Sequence, residues 1–279
     1  MNDTGTTAAT AATAAAPAAA RDRGAHTTAT GRMAALARAE LTLFVRTRST
    51  LVSAVFVPLA LPFSVQPVTD RMKTADAGLT TGLIVLPAAI GFSLLFAVYS
   101  TLVGVFAARR EQLVLKRLRT GEARDAEILA GAAVPAVVTG LVQSLLLAAA
   151  CTALLDLPAP HAPQLAVAGL LLGLVLAAAL AAVTSAFTRT AESAQVTAIP
   201  LVVASMMGSG VMVPLELLPD GVARFCALLP LTPVITLVRG GWTGQLSGAE
   251  ALRALALALA WTAAAGFAVR RWFRWDPRR

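Results

Sequence analysis

The sequence predicts an all-α membrane protein with six transmembrane helices, an N-terminal amphipathic elbow helix and a re-entrant segment before the last helix. Three observations predict it. First, 57% of the 279 residues are hydrophobic and the mean hydropathy is +0.73, whereas a soluble domain is about 45–50% apolar. Second, the charged residues, 14% of the chain, gather between long charge-free blocks, which is the layout of membrane spans. Third, basic residues divide unequally between the two sets of connections.

Residues 1–31 are mostly Ala, Thr, Gly and Pro, without the Leu-rich core of a signal peptide. They cannot build a core, and a disordered cytoplasmic tail is expected. Over 32–48, Met33, Ala37, Leu41 and Phe44 recur on one helical face, with Leu36 beside them and Arg38, Thr42 and Arg46 opposite. Two readings fit. One is an interfacial elbow helix, its apolar side in the acyl boundary. The other is an ordinary cytosolic helix, which Glu40 on the apolar arc favours.

Charge-free runs then cover 49–69, 77–108, 128–155, 157–188, 193–215, 225–238 and 254–269. A hydrocarbon core of about 30 Å needs about 20 helical residues. Five runs meet this, and Ala251 and Leu252 extend the last past Arg253, whose side chain can snorkel outward. The predicted spans are 49–68, 80–108, 127–155, 164–187, 194–215 and 251–269. The 225–238 run is too short to cross and is broken by Pro230 and Pro233. A re-entrant or interfacial segment is expected there, tolerable where protein surrounds it.

Six spans put both termini on one side. That side holds eighteen of the 23 basic residues: six in the tail and first helix, six in the second connection, Arg189, and five at the C-terminus. The positive-inside rule makes it the cytoplasmic side. A seven-span topology would place the C-terminal arginines outside. Trp272 and Trp275 suit an interfacial anchor, and residues 276–279 form a cytoplasmic tail.

The net charge of +8 does not point to nucleic acid, because the basic residues flank apolar runs. Only Lys73 and Lys116 are lysines, and the Ala- and Arg-rich balance suggests a GC-rich bacterial genome. Cys151 and Cys226 allow one bridge or two buried thiols. His26 and His161 are far apart, and no metal site is expected. No Gly-Lys pair occurs, which excludes a G-x-x-x-x-G-K-[ST] phosphate loop. No ionisable group sits near the middle of a predicted span, where ion-coupled transporters place their relays. No nucleophile–base pair suits a membrane hydrolase. An enzyme is therefore not expected, and any transport takes its energy from outside the chain.

The connection from Arg109 to Glu127 sets Leu113, Leu115 and Leu118 amid charge. Thr120-Gly121 reads as a helix end, and Asp125 as the cap of the next helix, with Glu127 in its first turn. A short surface helix here is either a docking element or a solvated basic loop that only sets topology.

Arg110-Glu111, Leu118-Arg119-Thr120-Gly121 and Asp125-Ala126-Glu127-Ile128-Leu129-Ala130-Gly131 resemble the second cytoplasmic connection of ABC-2-type exporter permeases. Ser209-Gly210-Val211-Met212-Val213-Pro214, Leu218-Pro219, Leu229-Pro230 and Thr232-Pro233 resemble that family's segment before the last span. The resemblance covers 32–275. One departure is Ala132, where relatives often carry a basic residue. It implies a permease that pairs with a second permease copy in the bilayer and binds a separate cytosolic cassette ATPase, so ATP is used by the partner chain. It also implies that Glu111, Leu115, Lys116, Arg117, Arg119 and Thr120 act in coupling to that ATPase. Substrate is then expected at the dimer interface, near the second and fifth spans.

Phe92, Phe96, Tyr99 and Phe106 share one face of the second span at helical spacing. The fifth span carries Ser205, Met206, Met207, Gly208, Ser209 and Met212. Phe92, Phe96, Tyr99, Ser205, Met206 and Ser209 are the candidate substrate path, and helix packing or lipid contact explains the same residues. Thr139 and Gln143 are expected to bond a neighbouring helix, and Gly169, Gly173, Ala177, Ala181 and Ser185 form a small-residue stripe. A charge-free path suits a hydrophobic or amphipathic, drug- or antibiotic-like cargo exported across a bacterial plasma membrane. Lipid or glycan export, and a non-transport scaffold or sensor subunit, are the alternatives.

Overall fold

With no water to satisfy backbone groups, a spanning chain of this composition must bond within its own helices, and every described element is helical. The computed structural model describes residues 81–113, 124–155, 157–211 and 218–273, with Gly31, Arg38 and Thr42. The expected tails, most of the elbow helix 32–48 and the predicted span 49–68 lie outside the described residues. Gly31, Arg38 and Thr42 are helical, and the Thr42 hydroxyl donates to the Arg38 carbonyl at 2.7 Å.

The elements are α1 (Thr81–Phe92), a π-helical segment (Ser93–Ser100), α2 (Thr101–Glu111), α3 (Asp125–Leu154), α4 (Pro163–Phe187), α5 (Ala194–Gly208), α6 (Asp220–Cys226), α7 (Thr232–Thr243) and α8 (Gly248–Trp272). Four helices are long and apolar enough to cross a membrane: the continuous Gly82–Glu111, then α3, α4 and α8. The shorter apolar α5 ends at Gly208 and the chain turns at Ser209–Val211, so within the predicted 194–215 span the described helix is 15 residues long.

The Gly82–Glu111 rod is the buried centre, with α3, α4, α5 and α7 packed around it. Its π turns carry their bonds one residue further than an α-helix, and such turns concentrate at functional sites. Thr101 Oγ1 donates to the Phe96 carbonyl, five residues back, at 2.9 Å.

The small-residue stripe of α4 explains how closely α7 approaches. A Cβ on Gly173 would lie 2.7 Å from both Leu94 Cδ1 and Val234 Cγ1, and one on Gly169 would lie 2.9 Å from Leu237 Cβ. Gly241 of α7 has less room still, because its Cβ would sit 2.6 Å from the backbone nitrogen of Ala166. Backbone cannot yield as a flexible side chain does, and overpacking costs about 1–3 kcal/mol or more. Gly241→Val is therefore expected to lower the thermal midpoint of the detergent-solubilised protein. Gly104→Ala, with nothing within 4 Å of its Cβ, should leave it unchanged. Equal midpoints for the two variants would refute this packing account.

The 225–238 run forms the end of α6, a break and most of α7. Pro233 sits in the first turn of α7, where a proline costs no hydrogen bond. The broken backbone is satisfied by protein, as depth in a membrane demands. Thr232 Oγ1 donates to the Cys226 carbonyl at 2.6 Å, and Trp261 Nε1 donates to the Leu228 carbonyl at 3.0 Å. Trp261 lies about 20 Å along α8 from Gly248, at roughly 1.5 Å per residue. The break therefore lies far along α8 from its first residue, and α7 returns to the end where α8 begins. Gly244 closes α7 in the left-handed conformation at φ 67°, its N–H on the Gly240 carbonyl at 2.9 Å. The Ser247–Glu250 capping box then opens α8. Cys151 and Cys226 are both buried and unbridged.

Candidate functional site

The second connection leaves α2 through two residues with opposite surroundings. Arg110 is buried at 1% exposure, and Glu111, the last residue of α2, is exposed. The Arg110 guanidinium reaches the C-terminal end of α4. Nη1 donates to the Ser185 carbonyl at 2.8 Å and Nη2 donates to the Thr188 carbonyl. A cation is favoured there by the helix dipole and by carbonyls left without helical partners. Beyond Thr188, Thr190 and Ser193 cap each other: Thr190 N–H donates to Ser193 Oγ at 3.0 Å and Ser193 N–H to Thr190 Oγ1 at 3.1 Å. Arg110 thus ties the second connection to a knit turn between α4 and α5.

After Arg110 the helix ends: the Gln112 and Leu113 N–H groups donate to the Ala108 and Arg110 carbonyls at 3.0 and 3.1 Å. Leu113 takes φ 57°, a left-handed conformation uncommon for a non-glycine residue. Leu115, Lys116, Arg117, Arg119 and Thr120, with the expected Thr120-Gly121 helix end, lie outside the described residues. The chain re-enters at Arg124, the residue before α3. Asp125 is not the cap expected from the sequence; it is the first helical residue, and the Arg124 N–H donates back to Glu127 Oε2 at 3.3 Å.

The second-span aromatics do not share one environment. Phe92, Tyr99 and Phe106 are buried, whereas Phe96 is 37% exposed. The wide π turns shift the faces that α-helical spacing would align. Phe92 and Phe96 still stack, ring centroids 6.0 Å apart and planes 14° apart. Tyr99 OH pairs with Thr184 Oγ1 at 3.0 Å. Ser205 and Ser209 are buried, Met206 is partly buried, and Ser209 Oγ has no hydrogen-bond partner among the described residues. The structure brings Tyr99 and Ser205 together across a small internal gap shared with Leu94, Leu176 and Leu231. It does not bring Phe96 there.

One polar pair crosses from the π segment to α3: Ser93 Oγ donates to Gln143 Oε1 at 3.1 Å, both groups fully buried. Thr139, expected to do the same, bonds within its own helix to the Pro135 carbonyl at 2.8 Å. The sequence offers Arg110 as one of the basic residues that set topology and as part of the Arg110-Glu111 pair in the family resemblance, not as a clamp. The predicted span stops at residue 108, whereas the helix runs on to Glu111 and carries Arg110 with it.

The family model described as "ABC-2 type transporter" matches residues 32–242, from the predicted elbow helix through most of α7. No curated protein matches the chain.

Proposed function

The chain belongs to the ABC-2 type transporter family, and from that premise we propose an exporter permease energised by a separate cassette-type ATPase docked on the 109–127 connection. That the chain is a multi-pass membrane protein and a permease subunit of an ABC transporter follows from the family and its spanning helices. The proposal adds six spans, both termini in the cytoplasm of a bacterial cell, a second permease copy, and a hydrophobic or amphipathic cargo. The observation that carries it is Glu111, exposed one residue beyond a buried clamp, at the start of the stretch that resembles the family's coupling segment. A docked partner can push on such a site, because the clamp behind it cannot slide freely. Leu115, Lys116, Arg117, Arg119 and Thr120 complete the docking element.

The proposed path uses Phe96, the exposed aromatic of the central rod, and Met206, whose thioether adapts to varied apolar shapes. Phe92, Tyr99, Ser205 and Ser209 are buried. They meet cargo when the rod and α5 part along the gap at Tyr99 and Ser205.

The test is a mild-detergent pull-down from native membranes, probed for a co-purifying ATPase. Recovery of a cassette-type subunit in about equal amount supports the proposal. Recovery of the chain with a different partner, or without one, overturns it.

A further inference from the structure

A second feature lies away from the proposed cargo path. Between the ends of α2, α3, α4 and α8 is a cavity of about 1120 Å³, larger than the roughly 300–1,000 Å³ of sites that take drug-sized molecules. Its rim holds two guanidinium groups, Arg124 and Arg270, and one carboxylate, Asp125, all exposed. Its wall is apolar, with alanines such as Ala133, Ala182 and Ala263 beside the larger Leu129, Val175 and Phe267. Along α8 the lining runs from Ala263 to Phe273, about 15 Å at roughly 1.5 Å per residue. That is half of a hydrocarbon core of about 30 Å, one leaflet deep.

This apolar wall offers no side-chain hydrogen bond, so it suits a hydrocarbon chain lying along it and not a polar segment. The rim carries the opposite preference. Asp125 stands in the first turn of α3, where the helix dipole favours its charge, and the two arginines outnumber it. Arg271 stands exposed beside Arg270. Basic groups between spanning helices at a membrane surface are the chemistry that holds anionic headgroups.

We propose that this cavity binds an anionic phospholipid from the leaflet at the Arg-rich end of the bundle, its phosphate on Arg124 and Arg270 and an acyl chain along the apolar wall. The site needs only the membrane-spanning fold and stands whether or not the ATPase reading holds.

The experiment is native mass spectrometry of the full-length protein in detergent, titrated with phosphatidylglycerol and, separately, phosphatidylcholine. The parent should retain phosphatidylglycerol in preference. A basic residue near an anionic lipid contributes about fivefold in affinity, so Arg124→Gln with Arg270→Gln should weaken phosphatidylglycerol about 25-fold and phosphatidylcholine, whose phosphate is offset by its own choline cation, by a clearly smaller factor. Ala179→Phe, which sets a ring in the acyl path along the wall, should reduce retention of both. Arg253→Gln, outside the lining, is the control. Equal retention of the two lipids by the parent, undiminished phosphatidylglycerol binding in the double variant, or an equal loss in Arg253→Gln would each overturn the proposal. The double variant alters only exposed side chains, so its folding is not in question.

Discussion

Arg110→Ala is expected to destabilise the bundle by about 3–4 kcal/mol. Hydrogen bonds to charged groups are worth roughly 1.5–3 kcal/mol each, and Arg110 gives one to Ser185 and one to Thr188. The lower part of the combined range applies, because the Ser185 carbonyl keeps the Thr188 N–H at 3.2 Å. The loss also removes the cation that faces the C-terminus of α4 and leaves a space where a fully buried side chain had been. Arg110→Lys should fall between the parent and the alanine variant. An ammonium keeps the charge but lacks the planar fork that addresses two carbonyls at once. The measurement is the fraction of monodisperse protein remaining after heating in mild detergent. An alanine variant as heat-resistant as the parent would show that α2 and α4 are held together by other contacts.

The helical architecture was legible because a bilayer leaves the backbone few options, so composition and block length decide it. The stripe on α4 was legible for a related reason: small residues at every fourth position are what a close neighbour requires, and α7 occupies that space. The prolines of the 225–238 run marked the break, since neither can continue a helix from the preceding turn. Their partners were not legible. Nothing in the spacing of Trp261 or Thr232 says that they bond the Leu228 and Cys226 carbonyls.

The candidate site was less legible than the fold. The π segment has no residue signature, and it alone redistributes Phe92, Phe96 and Tyr99 between core and surface. Gln143 announced itself as a polar group in a span, but Ser93 as its partner depends on helix rotation. Arg110 was misweighted because hydropathy treats an arginine at the end of a span as solvated. Burial reverses that once two carbonyls face it. The docking residues beyond Leu113 were named from resemblance, and Leu115 to Thr120 lie outside the described residues.

Replacing Glu111, Lys116 and Arg117 together with alanine should uncouple ATP hydrolysis from transport while leaving insertion and folding intact. This rests on the proposed docking of an ATPase on the 109–127 connection. Charged groups at an interface steer the encounter, and losing close charge pairs costs several kcal/mol. Binding of the ATPase should therefore weaken on the order of 100-fold. The contrast with Arg110 separates support from transmission. Arg110 points inward and holds α4, so its loss shows in thermal stability. Glu111 is exposed, so the triple variant should melt like the parent yet lose cargo-stimulated ATPase activity in reconstituted vesicles. Unchanged partner binding and transport would sink the coupling role. A fall in thermal stability equal to that of Arg110→Ala would show instead that the connection is a structural extension of α2, with the docking surface elsewhere.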